Sequence, residues 1–121
     1  MIDPAEERGS VSVLAAAVLV LACALCLISV DLARALEAKA RAQTAADAAA
    51  LAAARELALD TDQGAQEAAD YALRNGATLV SCECAQGTYE AVVDVEVPVD
   101  LLFVGSDRTV HAKARAVVDL G

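Results

Sequence analysis

The sequence predicts an α+β, membrane-anchored protein: a long N-terminal helix, a second helix, and a small three-stranded antiparallel sheet. Three observations carry this expectation. Val11 to Val30 reads VSVLAAAVLVLACALCLISV and holds no charged residue. The stretch from Asp31 to Asp60 continues without proline or glycine and is dominated by alanine. After Asn75-Gly76 the apolar residues change from a helical period to strict alternation.

The apolar run is long enough to matter. At about 1.5 Å per residue it spans roughly 30 Å, the hydrocarbon thickness of a bilayer. Its only polar side chains beyond the thiols are Ser12 and Ser29, which can bond back to carbonyls of their own helix. The rest of the chain offers little to bury such a rod as a core helix. Residues 10–30 are therefore expected to cross the membrane. The preceding segment, 1–9, is short and mildly acidic, unlike the basic start of a secretory signal. Pro4 and Gly9 argue against helix before Ser10, which is a reasonable N-cap.

Residues 31–60 extend the same helix beyond the membrane. Alanine is the best helix former, and Glu37 and Arg41 stand at i,i+4 in the favoured order. Asp31 and Arg34 form a similar i,i+3 pair. Small alanine faces let backbones approach closely, in lipid as in a bundle.

Residues 61–121 form a small α/β head. Thr61 or Asp62 can cap a second helix at 63–74, whose apolar positions Ala65, Ala68, Ala69, Ala72 and Leu73 recur at helical spacing. Asn75-Gly76 stops it. Three strands are expected at about 78–84, 90–99 and 108–118. In the first, Thr78, Val80, Cys82 and Cys84 share one face. In the second, Ala91, Val93, Val95, Val97 and Val99 alternate with polar positions, and Pro98 marks an end or an edge. In the third, Val110, Ala112, Ala114, Ala116 and Val118 do the same after a Gly105-Ser106-Asp107 loop. If strands two and three are antiparallel neighbours, Asp94 and Glu96 meet Lys113 and Arg115 across the ladder.

Composition bounds function. Only Tyr71, Tyr89 and Phe103 are aromatic, so a head built on so little bulk has a thin core. The net charge is -9, and the basic residues are scattered singly, which disfavours nucleic-acid binding. One histidine, no phosphate-binding glycine loop and no nucleophile–base set argue against an enzyme and against a cofactor. Cys82 and Cys84, pointing the same way on one strand, could form a local disulfide in an oxidising compartment. With His111 they would supply three zinc ligands, but the spacing is no zinc signature and a fourth is missing. Cys23 and Cys26 lie inside the apolar run, where cysteine is a small hydrophobe. Val20-Leu21-Ala22-Cys23 also resembles a lipobox, which gives an alternative: a surface lipoprotein, acylated at Cys23, acting as a binding module.

Two further stretches carry a family resemblance. Arg8-Gly9-Ser10 before the apolar run resembles a type IV prepilin junction. Ala42-Gln43-Thr44-Ala45-Ala46-Asp47-Ala48-Ala49-Ala50-Leu51-Ala52-Ala53-Ala54 resembles the signature of TadE/TadG-like proteins of tight-adherence (Flp) pilus loci. The resemblance implies a minor-pilin or pseudopilin-like assembly component of a Flp-type pilus or related secretion system. It implies cleavage between Gly9 and Ser10 by a prepilin peptidase, and partnership with Flp-type pilin, platform proteins and further copies of the chain. Gln43, Ala46, Asp47, Ala50 and Leu51 are the expected contact residues. One feature departs from the family. Counting from Ser10, Leu14 and Ala15 stand where such proteins usually carry Glu followed by an aromatic, so the chain could remain a membrane-held assembly factor. The resemblance places the C-terminal domain outside the cytoplasm, whereas Arg34, Lys39 and Arg41 after the span, against Arg8 before it, predict the reverse by the positive-inside rule.

Overall fold

The computed structural model describes residues 4–102 and 105–119. Five elements follow in order: α1 (Pro4–Ala58), α2 (Gly64–Arg74), β1 (Thr78–Glu83), β2 (Glu90–Leu101) and β3 (Gly105–Val117). The strands form one antiparallel sheet in the order β1-β2-β3. The α+β class and the element order are those expected from the sequence.

Helix α1 has 55 residues, about 83 Å at the standard rise. It begins at Pro4, six residues before the expected start. Proline lacks only an N–H that the first turn leaves unbonded anyway, and its fixed φ suits that position. Gly9 is carried within the helix rather than ending it. The two halves of α1 have opposite environments. Val11 to Val30 is exposed almost throughout, Val13 at 70% and Val20 at 68%. Beyond it Asp31, Ala38, Ala42, Ala45, Ala49 and Ala53 are buried, and Ala35 between them is half-buried. This near-regular spacing of three and four residues keeps one seam of the helix on the sheet.

That seam makes the core. Among the described residues the main buried cluster consists of thirteen alanines and four valines. The valines, Val93, Val95, Val97 and Val99, are the inward row of β2, and eight of the alanines (38, 42, 45, 46, 49, 50, 53 and 54) belong to α1. Alanine against valine brings helix and sheet close together and leaves the head with the thin core its composition implied. Each fully buried valine contributes about 1.5–3 kcal/mol.

Strand β1 departs from the expected pattern. Leu79 pairs with Val95 and Ser81 with Asp94, so Val80 is an extra residue in a bulge. The bulge resets the period. Leu79 and Cys82 pack on the core, while Val80 is 50% exposed. The expected shared face of Thr78, Val80 and Cys82 is thereby corrected. Strand β3 starts at Gly105, inside the segment expected to be loop. Strand β2 runs past Pro98, which pairs with Thr109 on β3. Beyond Glu96 no β1 residue faces β2, so this stretch of β2 has one open edge, where a residue without an N–H is tolerated.

The two helices end alike. At the end of α1, Thr61 N–H donates to Glu56 O (3.0 Å) and Asp60 N–H to Leu57 O (3.1 Å). At the end of α2, Ala77 N–H donates to Ala72 O (2.9 Å) and Gly76 N–H to Leu73 O (3.1 Å). Both are Schellman pairs, with Asp60 (φ 57) and Gly76 (φ 78) in the left-handed position. Asp60-Thr61-Asp62 therefore closes α1 rather than capping α2, which starts after Gln63 with no side-chain cap. Opposite substitutions at the two equivalent positions have opposite expected signs. Asp60→Gly should raise stability by about 0.5–1 kcal/mol. Gly76→Ala should lower it by about 1–2 kcal/mol, since a Cβ there also meets Arg41 Cδ at 3.2 Å. Thermal melts of the two variants check this, and a shared sign would refute the reading.

Candidate functional site

The expected contact residues lie on α1, and the sheet decides which parts of that helix stay free. Helix α1 runs alongside β3 and against the direction of β2. Arg34 Nη1 donates to Asp100 O (3.3 Å), Lys39 Nζ to His111 O (3.0 Å) and Gln43 Nε2 to Lys113 O (3.4 Å). Asp31, 8% exposed at the end of the apolar run, accepts a 2.7 Å hydrogen bond from Leu102 N–H. Successive residues of α1 thus tie it to the sheet from the β2–β3 turn onward. At the far end Gln86 Nε2, in the β1–β2 turn, donates to Asp60 O (3.2 Å).

These contacts give Asp31, Arg34 and Lys39 partners far along the chain. Asp31 and Arg34 reach the β2–β3 hairpin, Asp31 to a backbone N–H and Arg34 to a carbonyl. Lys39, read from sequence only as a charge near the membrane, is a strut to β3. Glu37 and Arg41 do pair, at 3.2 Å. Across the β2–β3 ladder, Asp94 stands opposite Lys113 and Glu96 opposite His111. The ion pair that closes is diagonal, Arg115 Nη2 to Glu90 Oε2 at 2.6 Å. His111 lies between Asp94 (3.6 Å) and Glu96 (3.8 Å) on the outer face.

The expected contact residues divide. Gln43 and Asp47 are exposed and joined by a 3.1 Å hydrogen bond from Gln43 Nε2 to Asp47 Oδ1. Leu51 is 66% exposed, one turn further on. Ala46 (0%) and Ala50 (2%) are inside the head's own core, so in this conformation they are not open to another subunit. The free face of the α1 extension also includes Leu32 (59%) and Leu36 (61%). Gly9 and Ser10 are exposed, in the second turn of α1.

Cys82 and Cys84 are joined as a disulfide, with Cα atoms 5.4 Å apart. Both are half-buried against the core, whereas His111 is on the outer face of β3, with β2 between them. The three-ligand zinc arrangement is thus not assembled, and among the described residues no group of three or more His, Cys, Asp or Glu side chains could hold a metal. An open cleft of about 870 Å³ beside the disulfide is lined by Ala65, Tyr89, Val92 and Val117. Of its two carboxylates, Glu83 and Glu90, the second is paired with Arg115, and the Thr88 hydroxyl on its wall donates to Ala85 O (2.6 Å). Cys23 and Cys26 are exposed, free thiols on α1.

Residues 9–56 match a family model described as "Putative Flp pilus-assembly TadE/G-like", the family that the Arg-Gly-Ser junction and the Ala-Ala-Asp block resemble. The matched segment is α1 almost to its end. It contains both the uncovered apolar run and the seam that carries the sheet. No curated protein and no solved structure matches the chain.

Proposed function

We propose that the chain is a single-pass, minor-pilin-like component of a tight-adherence pilus or related secretion system. It acts by assembly rather than catalysis. The observation that carries this reading is the division of the matched helix. One half is apolar and covered by none of the described residues, and the other half is the backbone of a small folded head. A helix whose apolar half lies bare needs lipid or other helices around it.

In this reading residues 11–30 hold the protein in the bilayer beside the transmembrane helices of Flp-type pilin, platform proteins or further copies of the chain. Gln43, Asp47 and Leu51, with Leu32 and Leu36, extend that contact outward. The head faces away from the cytoplasm. Two observations support this orientation against the positive-inside rule. The Cys82–Cys84 disulfide suits an oxidising compartment. Arg34 and Lys39 are engaged with strand carbonyls, which gives them a structural reason to follow the span. Alkylation of intact cells with a membrane-impermeant thiol reagent, before and after reduction, tests it. The head thiols should be labelled only after reduction. Labelling of Cys82 and Cys84 without reductant, and only in lysed cells, would place the head in the cytoplasm.

Processing is tested by the intact mass and N-terminal sequence of the protein from its native membranes. A chain starting at Ser10 supports a peptidase-processed pseudopilin despite Leu14. An uncut chain supports an assembly factor that stays in the membrane. A lipidated chain starting at Cys23 would overturn the proposal in favour of a surface lipoprotein.

A further inference from the structure

The junction between the apolar run and the head holds an apolar group that the helix alone does not explain. Asp31 directly follows Val30 and accepts the Leu102 N–H at 2.7 Å. One turn on, Arg34 holds the carbonyl of Asp100. The chain is therefore fixed to α1 where β2 turns at Leu102, at the level where the apolar run ends. At that turn Leu102 is 56% exposed, and Leu32 on α1 is 59% exposed. In sequence, Leu102 stands in the run Leu101-Leu102-Phe103-Val104, which has no polar side chain. The rest of the sheet lies alongside the later residues of α1, up to the Gln86–Asp60 contact at the other end. Of the two hairpin turns, only the β2–β3 turn is tied to the apolar run. The β1–β2 turn, Ala85-Gln86-Gly87-Thr88, is polar by comparison.

We infer that Leu102, where β2 turns, is a second membrane contact, seated in the interfacial layer of the bilayer beside the point where α1 leaves it. The inference rests on the reading of residues 11–30 as a membrane helix. With that helix in lipid, the Asp31 hydrogen bond leaves Leu102 no more than a few ångströms from the same boundary, and an exposed leucine there is more stable in the interface than in water. Arg34, beside it, places a cation at the depth of the lipid phosphates, where anionic headgroups attract it. A single helix would leave the head free to swing about its axis. A second contact fixes which face of the head looks along the membrane and which looks away, and so orients Gln43, Asp47 and Leu51 toward neighbours in the bilayer plane. Asp31 is the positioning residue of this arrangement.

The natural chain has no tryptophan, so single-tryptophan variants of the full chain report depth directly. Leu102→Trp, Val20→Trp and Val80→Trp would be reconstituted into phosphatidylcholine vesicles brominated either near the headgroups or near the middle of the acyl chains. The side chains at 102 and 80 are exposed, so tryptophan there displaces no core atom. Trp emission at 102 should fall about twofold or more with shallow bromines and less with deep ones, as expected for a group buried about 5–10 Å into the interface. Emission at 20 should fall most with deep bromines, and emission at 80 with neither. Quenching at 20 without quenching at 102 would overturn the inference and leave the membrane helix standing. Absence of quenching at 20 would overturn the membrane reading itself, and this inference with it.

Discussion

Ala49→Leu should strongly destabilise the head while leaving α1 helical. Ala49 is fully buried, and so are Ala45, Ala46 and Ala53 around it and Val93 and Val95 among the valines of the cluster. The separation between α1 and β2 is set by methyl groups, and leucine adds three heavy atoms at a position with no space. Overpacking of this kind costs about 1–3 kcal/mol in cores that can relax, occasionally more. Here relaxation is restricted, because Asp31, Arg34, Lys39 and Gln43 hold the same helix to the sheet on the membrane side. Small domains have total stabilities near the low end of about 5–15 kcal/mol, so the loss is a large share of the whole. Each kcal/mol lowers the melting temperature of a domain this size by about 4–8 °C. Hydrogen exchange of the β2 amides is the suitable readout, since alanine-rich α1 keeps its own helicity and would mask the loss in a whole-chain spectrum. Ala40→Leu, on the exposed side of the same helix, should change stability by no more than about 0.5 kcal/mol. Equal β2 protection in the two variants would show that the seam is not close-packed.

What was legible in the sequence follows from how far each signal reaches. The apolar run and the uninterrupted α1 are visible because hydropathy and helix propensity act residue by residue. The alternation of β2 and β3 is visible because inward and outward residues alternate there, with the inward row fully buried on β2 and mostly half-buried on β3. The misreadings have local physical causes. Alternation assumes that every residue advances the strand by half a period, and the extra residue at Val80 breaks that assumption; the spacing of three between Leu79 and Cys82 was the only trace of it. Pro4 has the residue type of a helix breaker, although in a first turn proline costs nothing. Asp60, Thr61 and Asp62 look like N-caps by type. They serve the preceding helix because Asp60 adopts φ 57, a backbone choice that an Asp-Thr-Asp sequence does not announce.

The contact residues were legible only in part, for a different reason. The Ala-Ala-Asp block marks one helical segment, but a sequence motif cannot say which of its alanines face the chain's own sheet. Ala46 and Ala50 are buried there, whereas Asp47 and Leu51 stay exposed, as does Gln43, whose amide alone reaches the sheet at Lys113 O. The links that make this division, from Asp31 to Leu102 and from Lys39 to His111, join residues 71 and 72 positions apart. No periodicity within α1 encodes them. Asp31 gave the one usable hint, since an acidic residue at the very end of an apolar run is a costly placement unless something donates to it.

The double variant Leu19→Arg, Leu21→Arg should abolish stable membrane integration, and a single arginine should not. Residues 11–30 contain eleven Leu, Ile and Val residues, each worth about −0.3 to −0.6 kcal/mol at the centre of an inserting helix. Together they favour insertion by roughly 3–7 kcal/mol. One central arginine costs about 2.5–3.5 kcal/mol plus the leucine it replaces, which leaves the balance near neutral or still favourable. Two cost roughly 6–8 kcal/mol and reverse it. None of the described residues can shelter the charges, since Leu19 and Leu21 are 65% and 60% exposed and no described element packs on them. Extraction of membranes at alkaline pH, which removes peripheral proteins, is the measurement. The parent and the single Leu21→Arg variant should stay in the pellet, the latter in reduced amount, and the double variant should appear in the supernatant or be degraded. The same two arginines placed on the head, at the exposed Leu51 and Leu59, control for the change in net charge and should leave the protein in the pellet. If the double variant at 19 and 21 also stays there, the apolar run is held by protein rather than lipid, and α1 would have to lie within a helix bundle already present in the membrane.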